Sequence, residues 1–329
     1  MSVYRIFGSE MSPYSVKVRA YFRYKAIPHV WIARRADSEA EYQRFARLPI
    51  VPTVATPDDE GLQDSTPIIE AVEAKFPEPS IHPQDPDLAF VSALLEEFGD
   101  EWGNKLMFHH RWWAEVDQQA SALTLARLSL PHGSEEEVAG RTRMVLQRMT
   151  GRGHFVGSSA ETAPLIGDYL FELLDLLEPH LAGRRYLLGA RPTFADFGLA
   201  PQLYETSVDP TGGAALMARG PATLDWCHRM LEPRNDGPVE DWEALQPTLA
   251  PILAYVGRYF LPWSQANSDA LAAGQETFTV ELAGRPYRQP PQKYHAKSLA
   301  VLKQRYAAAR SPRLDAILEA AGARAVLAG

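Results

Sequence analysis

The sequence is almost without thiols. A single cysteine, Cys227, among 329 residues excludes an intrachain disulfide, a Cys-x-x-Cys redox pair and a multi-thiolate metal centre. Long apolar runs are missing as well. No stretch approaches the roughly 18 consecutive apolar residues of a membrane-spanning helix. Positive charge is in deficit: 33 Lys plus Arg against 41 Asp plus Glu leave a formal charge of −8. Such a chain has no global attraction to phosphate backbones, which argues against a dedicated nucleic-acid binder. The opening MSVYRIFGSEMSPYS shows no basic stretch leading into an apolar one, so nothing marks it for secretion and a cytoplasmic protein is expected. His-Glu-x-x-His, Gly-x-Ser-x-Gly and the phosphate-cradling Gly-x-x-x-x-Gly-Lys-(Ser/Thr) are all lacking.

What is present is a 46% hydrophobic chain, long enough for two domains of about 150 residues each. The first eighty residues alternate strand and helix signals. Val3–Phe7 reads as a strand, and Ser12-Pro13 as N-cap and first position of a helix continued by Val16, Ala20 and Tyr24. His29–Ala33 has strand composition, and Ser38–Arg47 is polar and helix-prone. Thr53–Thr56 and Leu62–Asp64 flank a turn as a hairpin, and Ser65 caps a helix through Phe76. The proline-rich stretch Lys75–Pro86 reads as a linker. Beyond it the chain is mostly helical: Asp87–Trp102, Met107–Leu128, Glu135–Met149, a broad apolar stripe over Thr162–Leu181, then Thr193–Glu205, Ala222–Leu231 and Thr248–Phe260. In the tail, Thr277–Leu282 has strand composition, and Gln292–Arg310 and Arg313–Leu327 look helical. No repeat of fixed period is present.

Three short segments bear on chemistry. Ser12-Pro13-Tyr14-Ser15 opens a helix straight after the first strand. Its free N–H groups and a serine hydroxyl suit a bound anion such as a thiolate, although Ser-Pro is also a common plain helix start. Pro52, in Leu48-Pro49-Ile50-Val51-Pro52-Thr53, either begins a strand or, with a cis peptide, leaves the Val51 backbone groups free to pair with an extended ligand. Asp64 in Gln63-Asp64-Ser65-Thr66 suits an ammonium, with Ser65 and Thr66 at a helix start suiting a carboxylate; the plain alternative is a cap.

In this order and spacing the three segments resemble the cytosolic glutathione transferase superfamily. A fourth match is Leu188-Gly189-Ala190-Arg191-Pro192-Thr193-Phe194-Ala195-Asp196, which looks like the family's Gly-x-x-x-(Ser/Thr)-x-Ala-Asp segment, where Thr193 and Asp196 cap a buried helix reciprocally. Asp196 therefore belongs to folding, not to the site. The resemblance implies an α/β plus all-α protein: a thioredoxin-like glutathione-binding domain over 1–80 and a helical electrophile-site domain over 86–263; the chain runs beyond the usual helical domain into a C-terminal extension over 264–329, which has no family reading. It further implies a cis proline at Pro52 and glutathione as co-substrate, held by Val51, Pro52, Asp64, Ser65 and Thr66. Catalytic candidates are Ser12 as thiol hydrogen-bond donor, with Tyr14 and Ser15 behind it. Many relatives carry glutamate where this chain has Asp64, a change that shortens reach. Ser12 stands where thiol-transferring omega and beta relatives have cysteine, and so follows the serine-type pattern of theta and zeta relatives.

The expected activity is a transferase or lyase acting through a glutathione thiolate on a small hydrophobic electrophile, as in detoxification. The alternative is a non-catalytic glutathione-binding or protein-interaction protein on the same fold. A homodimer is expected from the family habit, without nucleic acid or membrane. The aromatic and cationic run Met107–Trp113 suggests an electrophile pocket walled by Met107, Phe108, His110 and Trp113, or plain helix packing. Adjacent histidines point about 100° apart and lack a third ligand at i+4, so no metal is expected there. Gly151–Gly157 reads as a loop, because it follows no strand.

Overall fold

The computed structural model describes residues 3–329. Strand β1 (Tyr4–Gly8) runs parallel to β2 (His29–Ala33), with helix α1 (Pro13–Tyr24) between them. Helix α2 (Glu39–Phe45) then leads to the antiparallel pair β3 (Thr53–Ala55) and β4 (Gly61–Gln63), and α3 (Ser65–Lys75) closes the unit. The sheet order is β2-β1-β3-β4, with Ile6 opposite Val54 across the antiparallel β1–β3 pair. Side chains alternate across this sheet as the strand period of two demands. Ile6 and Val54 join the main core, in company with Val18 of α1 and Ile68 of α3; Phe7 and Ala55 face the other way and pack with Tyr42 and Phe45 of α2.

The helical part begins with α4 (Pro86–Phe98), which passes through a π turn at Gly99–Gly103 into α5 (Asn104–Trp112) without leaving helical geometry. The break expected between Trp102 and Met107 is absent; it falls instead at Trp113-Ala114, where Ala114 is extended before α6 (Glu115–Ser129). Close packing explains the difference. A Cβ on Gly99 would lie 2.5 Å from the carbonyl carbon of Gly198 in α9 (Phe194–Ser207), and one on Gly198 only 2.5 Å from Glu96 Cα. The glycines let two helices cross backbone to backbone, and the π turn keeps the chain helical past the crossing.

Helix α7 (Glu135–Thr150) packs chiefly on α6, and the central α8 (Ala163–Ala182) buries its leucine stripe. Asp196 caps α9: it accepts from the Thr193 N–H and hydroxyl at 2.8 and 2.9 Å, from Leu187 N–H at 2.8 Å and from Trp226 Nε1 at 3.0 Å. Helices α10 (Pro210–Arg219), α11 (Pro221–Arg229), α12 (Trp242–Tyr255) and α13 (Leu261–Ala272) complete this half; the sequence reading missed α10 and α13. The tail adds a hairpin, β5 (Phe278–Leu282) with β6 (Arg285–Gln289), and then α14 (Lys293–Ala309), α15 (Pro312–Ala320) and α16 (Arg324–Ala328). Strand β6 was not foreseen, because Arg-Pro-Tyr-Arg-Gln does not alternate apolar with polar residues. The tail is bonded to the rest. Gln289 Oε1 accepts from Trp263 Nε1 at 3.1 Å and from the buried Lys105 Nζ, Asn267 and Gln292 bond twice, and Arg313 reaches Asp85 and Asp87. Helix α14 lies along α4, with Arg305 paired to Glu70 of α3.

Candidate functional site

Two cavities open where α1 starts, and Val51 lines both. The Val51–Pro52 peptide is cis, and among the described residues the Val51 backbone N–H and carbonyl take no hydrogen bond.

The smaller cavity, about 280 Å³, is lined by Tyr14, Asp64, Ser65, Asp100, Glu101 and Tyr294 together with the Ile50–Pro52 segment. Asp64, not Ser65, occupies the N-cap of α3. Its φ of +77° lies in the left-handed region, which non-glycine residues enter at a cost of about 1 kcal/mol or more. Ser65 is thus the first helical residue, and its hydroxyl stands 3.5 Å from Asp100 Oδ2. Thr66 faces an adjoining cavity and belongs to a buried ionic cluster, in which Lys17 Nζ donates to Thr66 Oγ1 at 2.9 Å, Glu96 Oε1 at 2.5 Å and Asp100 Oδ2 at 2.6 Å.

Burial alone would lower the Lys17 amine, but Asp100 and Glu96 outweigh it and hold the amine charged. Burial keeps the Asp100 carboxyl raised, and its Oδ1 has no hydrogen-bond partner among the described residues. Glu101 is likewise pushed up, to about 8, by burial offset in part by Lys105. His295 Nδ1 sits on Glu101 Oε2, and burial lowers that imidazole to about 3, so a neutral ring faces a protonated carboxyl at neutral pH. From the tail, Tyr294 donates its hydroxyl to Asp64 Oδ2 at 2.9 Å. Asp100, Glu101, Tyr294 and His295 were absent from the sequence-based site. The pair of acids sits in a π turn, a feature with no sequence signature short of the two glycines that frame it.

The larger cavity, about 430 Å³, has Ser12 and Val51 in its lining. Ser12 caps α1, and its Oγ accepts from Ser15 N–H at 3.3 Å, leaving its own hydrogen without an acceptor among the described residues. The other two catalytic candidates are engaged elsewhere. Ser15 is fully buried and accepts from Ser9 N–H at 3.3 Å, while Tyr14 donates to the Asp100 carbonyl at 2.9 Å, with burial raising its phenol well above the usual value. Of the four residues expected to wall the electrophile pocket, Met107 and Phe108 line this cavity and His110 and Trp113 do not. Arg111 and Trp112 take their place, since the crossing at Gly99 sets the rotation of the whole α4–α5 helix. Trp113 stacks on His109 and is half exposed.

Among the described residues no helix is long and apolar enough to cross a membrane, and no three His, Cys, Asp or Glu side chains gather as metal ligands. Residues 6–80 match the family model for the glutathione S-transferase N-terminal domain, and residues 145–229 that for the glutathione S-transferase C-terminal domain. The chain belongs to the glutathione S-transferase superfamily. No curated protein sequence matches it. Similar solved structures include a tau class glutathione S-transferase from mango, Mangifera indica, with 16% identity and a TM-score of 0.43 over 75% of this chain and 96% of that one. A glutathione S-transferase from Methylobacterium radiotolerans, in complex with glutathione sulfonate, shows 20% identity and a TM-score of 0.41 over 72% and 96%. A maleylacetoacetate isomerase from Anaeromyxobacter dehalogenans with bound glutathione shows 21% and 0.38 over 69% and 90%.

Proposed function

We propose that the protein is a glutathione-dependent transferase or lyase that activates the tripeptide thiol for attack on a small hydrophobic electrophile. The observation that carries this reading is the place of Val51, with unpaired backbone groups, between an acid-lined cavity at a helix start and an apolar cavity that contains Ser12. An extended peptide fits that layout. Its γ-glutamyl ammonium goes to Asp64, its α-carboxylate to the α3 start at Ser65, its central residue pairs with Val51, and its sulfur points toward Ser12.

The chemistry asked of Ser12 is modest. A free thiol with pKa near 8.5 is only a few per cent thiolate at neutral pH, and a fall of about two units, roughly 2.7 kcal/mol, makes thiolate the major form. One hydroxyl donor and the α1 N-terminus are a sufficient pair for that shift, because both favour the charged sulfur. The thiolate then attacks carbon in the cavity walled by Met107 and Phe108, displacing a leaving group or adding to a conjugated acceptor. With Ser12→Ala, kcat/KM over a panel of electrophiles should fall about ten- to a hundredfold. Unchanged values would remove Ser12 from this role. Calorimetry with glutathione is the companion measurement, and no binding at all would overturn the reading.

A second reading, a glutathione-binding protein without turnover, draws on Tyr294, whose hydroxyl already occupies one oxygen of the ammonium acceptor. Glutathione that binds with an unshifted thiol would favour it.

A further inference from the structure

The apolar cavity is also a charged one. Four of its lining residues lie on one face of α7: Arg141, Val145, Arg148 and Met149, at i, i+4, i+7 and i+8. The other ionic groups of the lining are already matched. Glu10 pairs with Arg19 at 2.7 Å and Arg34 with Glu39 at 3.1 Å, while Arg111 is held at 2.7 Å by both Glu205 and Asp209. Arg141 and Arg148 make no hydrogen bond or ion pair with any described residue, and both are exposed at the cavity mouth. The lining therefore carries two unmatched guanidinium groups. They are two helical turns apart, about 10.5 Å at 1.5 Å per residue.

Chance placement of arginine on a solvated helix does not account for the rest of the pattern. In a chain of net charge −8, a cavity with excess positive charge stands against the whole-molecule field. The cations also alternate with Val145 and Met149, so the same face offers apolar contact and charge together. A guanidinium presents a fork of donors that matches a carboxylate, sulfonate or phosphate.

We propose that the second substrate is an amphipathic anion: an apolar, flat or elongated body whose acidic group docks on Arg141 and Arg148 while its electrophilic carbon lies at Ser12. This rests on the glutathione reading for the reaction, but the anion site itself does not need glutathione. No covalent step is added beyond thiolate attack, and the acidic group is a handle rather than a leaving group.

The test compares two probes of nearly the same shape, 8-anilinonaphthalene-1-sulfonate and its uncharged counterpart N-phenyl-1-naphthylamine, by fluorescence titration at low salt. The wild-type chain should bind the sulfonate more tightly. The double variant Arg141→Ala/Arg148→Ala should weaken the sulfonate about tenfold or more and leave the neutral probe within twofold; Phe108→Ala should weaken both. Equal affinity for the two probes, or sulfonate binding retained in the double variant, overturns the proposal. So does a sulfonate site that ignores Phe108→Ala, since it then lies outside the cavity. Neither arginine has a partner to lose, and unchanged melting of the double variant checks that it folds. Glutathione calorimetry on the same samples separates the two ideas. A chain that binds no glutathione but passes the probe test loses the transferase reading and keeps the anion pocket.

Discussion

On one side of Val51 remote parts of the chain meet around buried charge; on the other, loops of the first eighty residues face α5, α6 and α7, and the outermost of those helices is attached chiefly to α6. The acidic cavity joins the starts of α1 and α3, the cis peptide at Val51–Pro52, the π turn after α4 and the tail helix α14, and Lys17 and Tyr294 tie its Asp100 and Asp64 carboxylates down. The arginine-rimmed cavity has as its outer wall α7, which buries only Val138 and packs chiefly on α6. On the proposed function, the contrast separates two demands. A cosubstrate that never changes suits a wall that cannot shift, because moving any member of a buried ionic cluster strands another. A variable second substrate suits a wall attached by few buried contacts, which opens and repacks at low cost.

The largest expected effect falls on the rigid side. Lys17→Met removes the ammonium that Glu96 and Asp100 share, and breaking a buried pair in this way costs about 3–5 kcal/mol. Urea unfolding should show that loss, and calorimetry the disappearance of glutathione binding at temperatures where the variant is still folded. In the same samples the sulfonate probe should bind the other cavity within twofold of wild type. If it weakens in step, the two cavities are not independent, and the contrast drawn at Val51 fails.

A second effect is read by pH. The Glu101 carboxyl is raised from the ordinary value of 4.5 to about 8, so between those values the folded chain holds a proton that the unfolded chain has released. The unfolded state then binds fewer protons, and stability falls as pH rises through this window. Glu101→Gln removes that contribution, because an amide does not titrate in this range. Its stability relative to wild type should therefore climb from pH 5 to pH 8, with a slope of at most about 1.4 kcal/mol per pH unit. A flat difference would mean that Glu101 is already ionised in the fold, and that the acidic cavity is more strongly charged than its burial implies.

Much of the frame was legible because it is written locally. Ser12-Pro13 after a strand, the Thr193–Asp196 cap and the βαβ–αββα order each depend on residues within a few positions of one another, and the structure has all three. The failures share the opposite character. Asp100 and Glu101 meet Tyr14 across 86 residues or more, and Tyr294 meets Asp64 across 230, with no motif to announce either meeting. The rotation of α5 depends on a backbone crossing with Gly198, far along the chain, so the choice of His110 and Trp113 over Arg111 and Trp112 was beyond a helical-wheel reading. The offset of one at the start of α3 arose because a positive φ at Asp64 is a backbone state that aspartate tolerates without advertising it.

The smallest effect asks whether the tail completes the acidic cavity or merely caps it. A carboxylate offers two oxygens and about four lone-pair sites, and Tyr294 uses one of them, on Oδ2. The phenol is neutral, so it leaves the charge of Asp64 available to an ammonium while fixing the carboxylate's rotamer. Asp64→Ala, which removes a charge-assisted bond, should raise the glutathione Kd about ten- to a hundredfold. Tyr294→Phe, which removes only an orienting neutral bond, should raise it about two- to fivefold. In the Asp64→Ala background the tyrosine change should do nothing, so the double-mutant cycle returns a coupling of about 0.5–1 kcal/mol. A Kd that falls in Tyr294→Phe would mean that the hydroxyl competes with the ligand for Asp64. The tail would then hold the cavity shut rather than build its wall, and the non-catalytic reading of the chain would gain on the transferase.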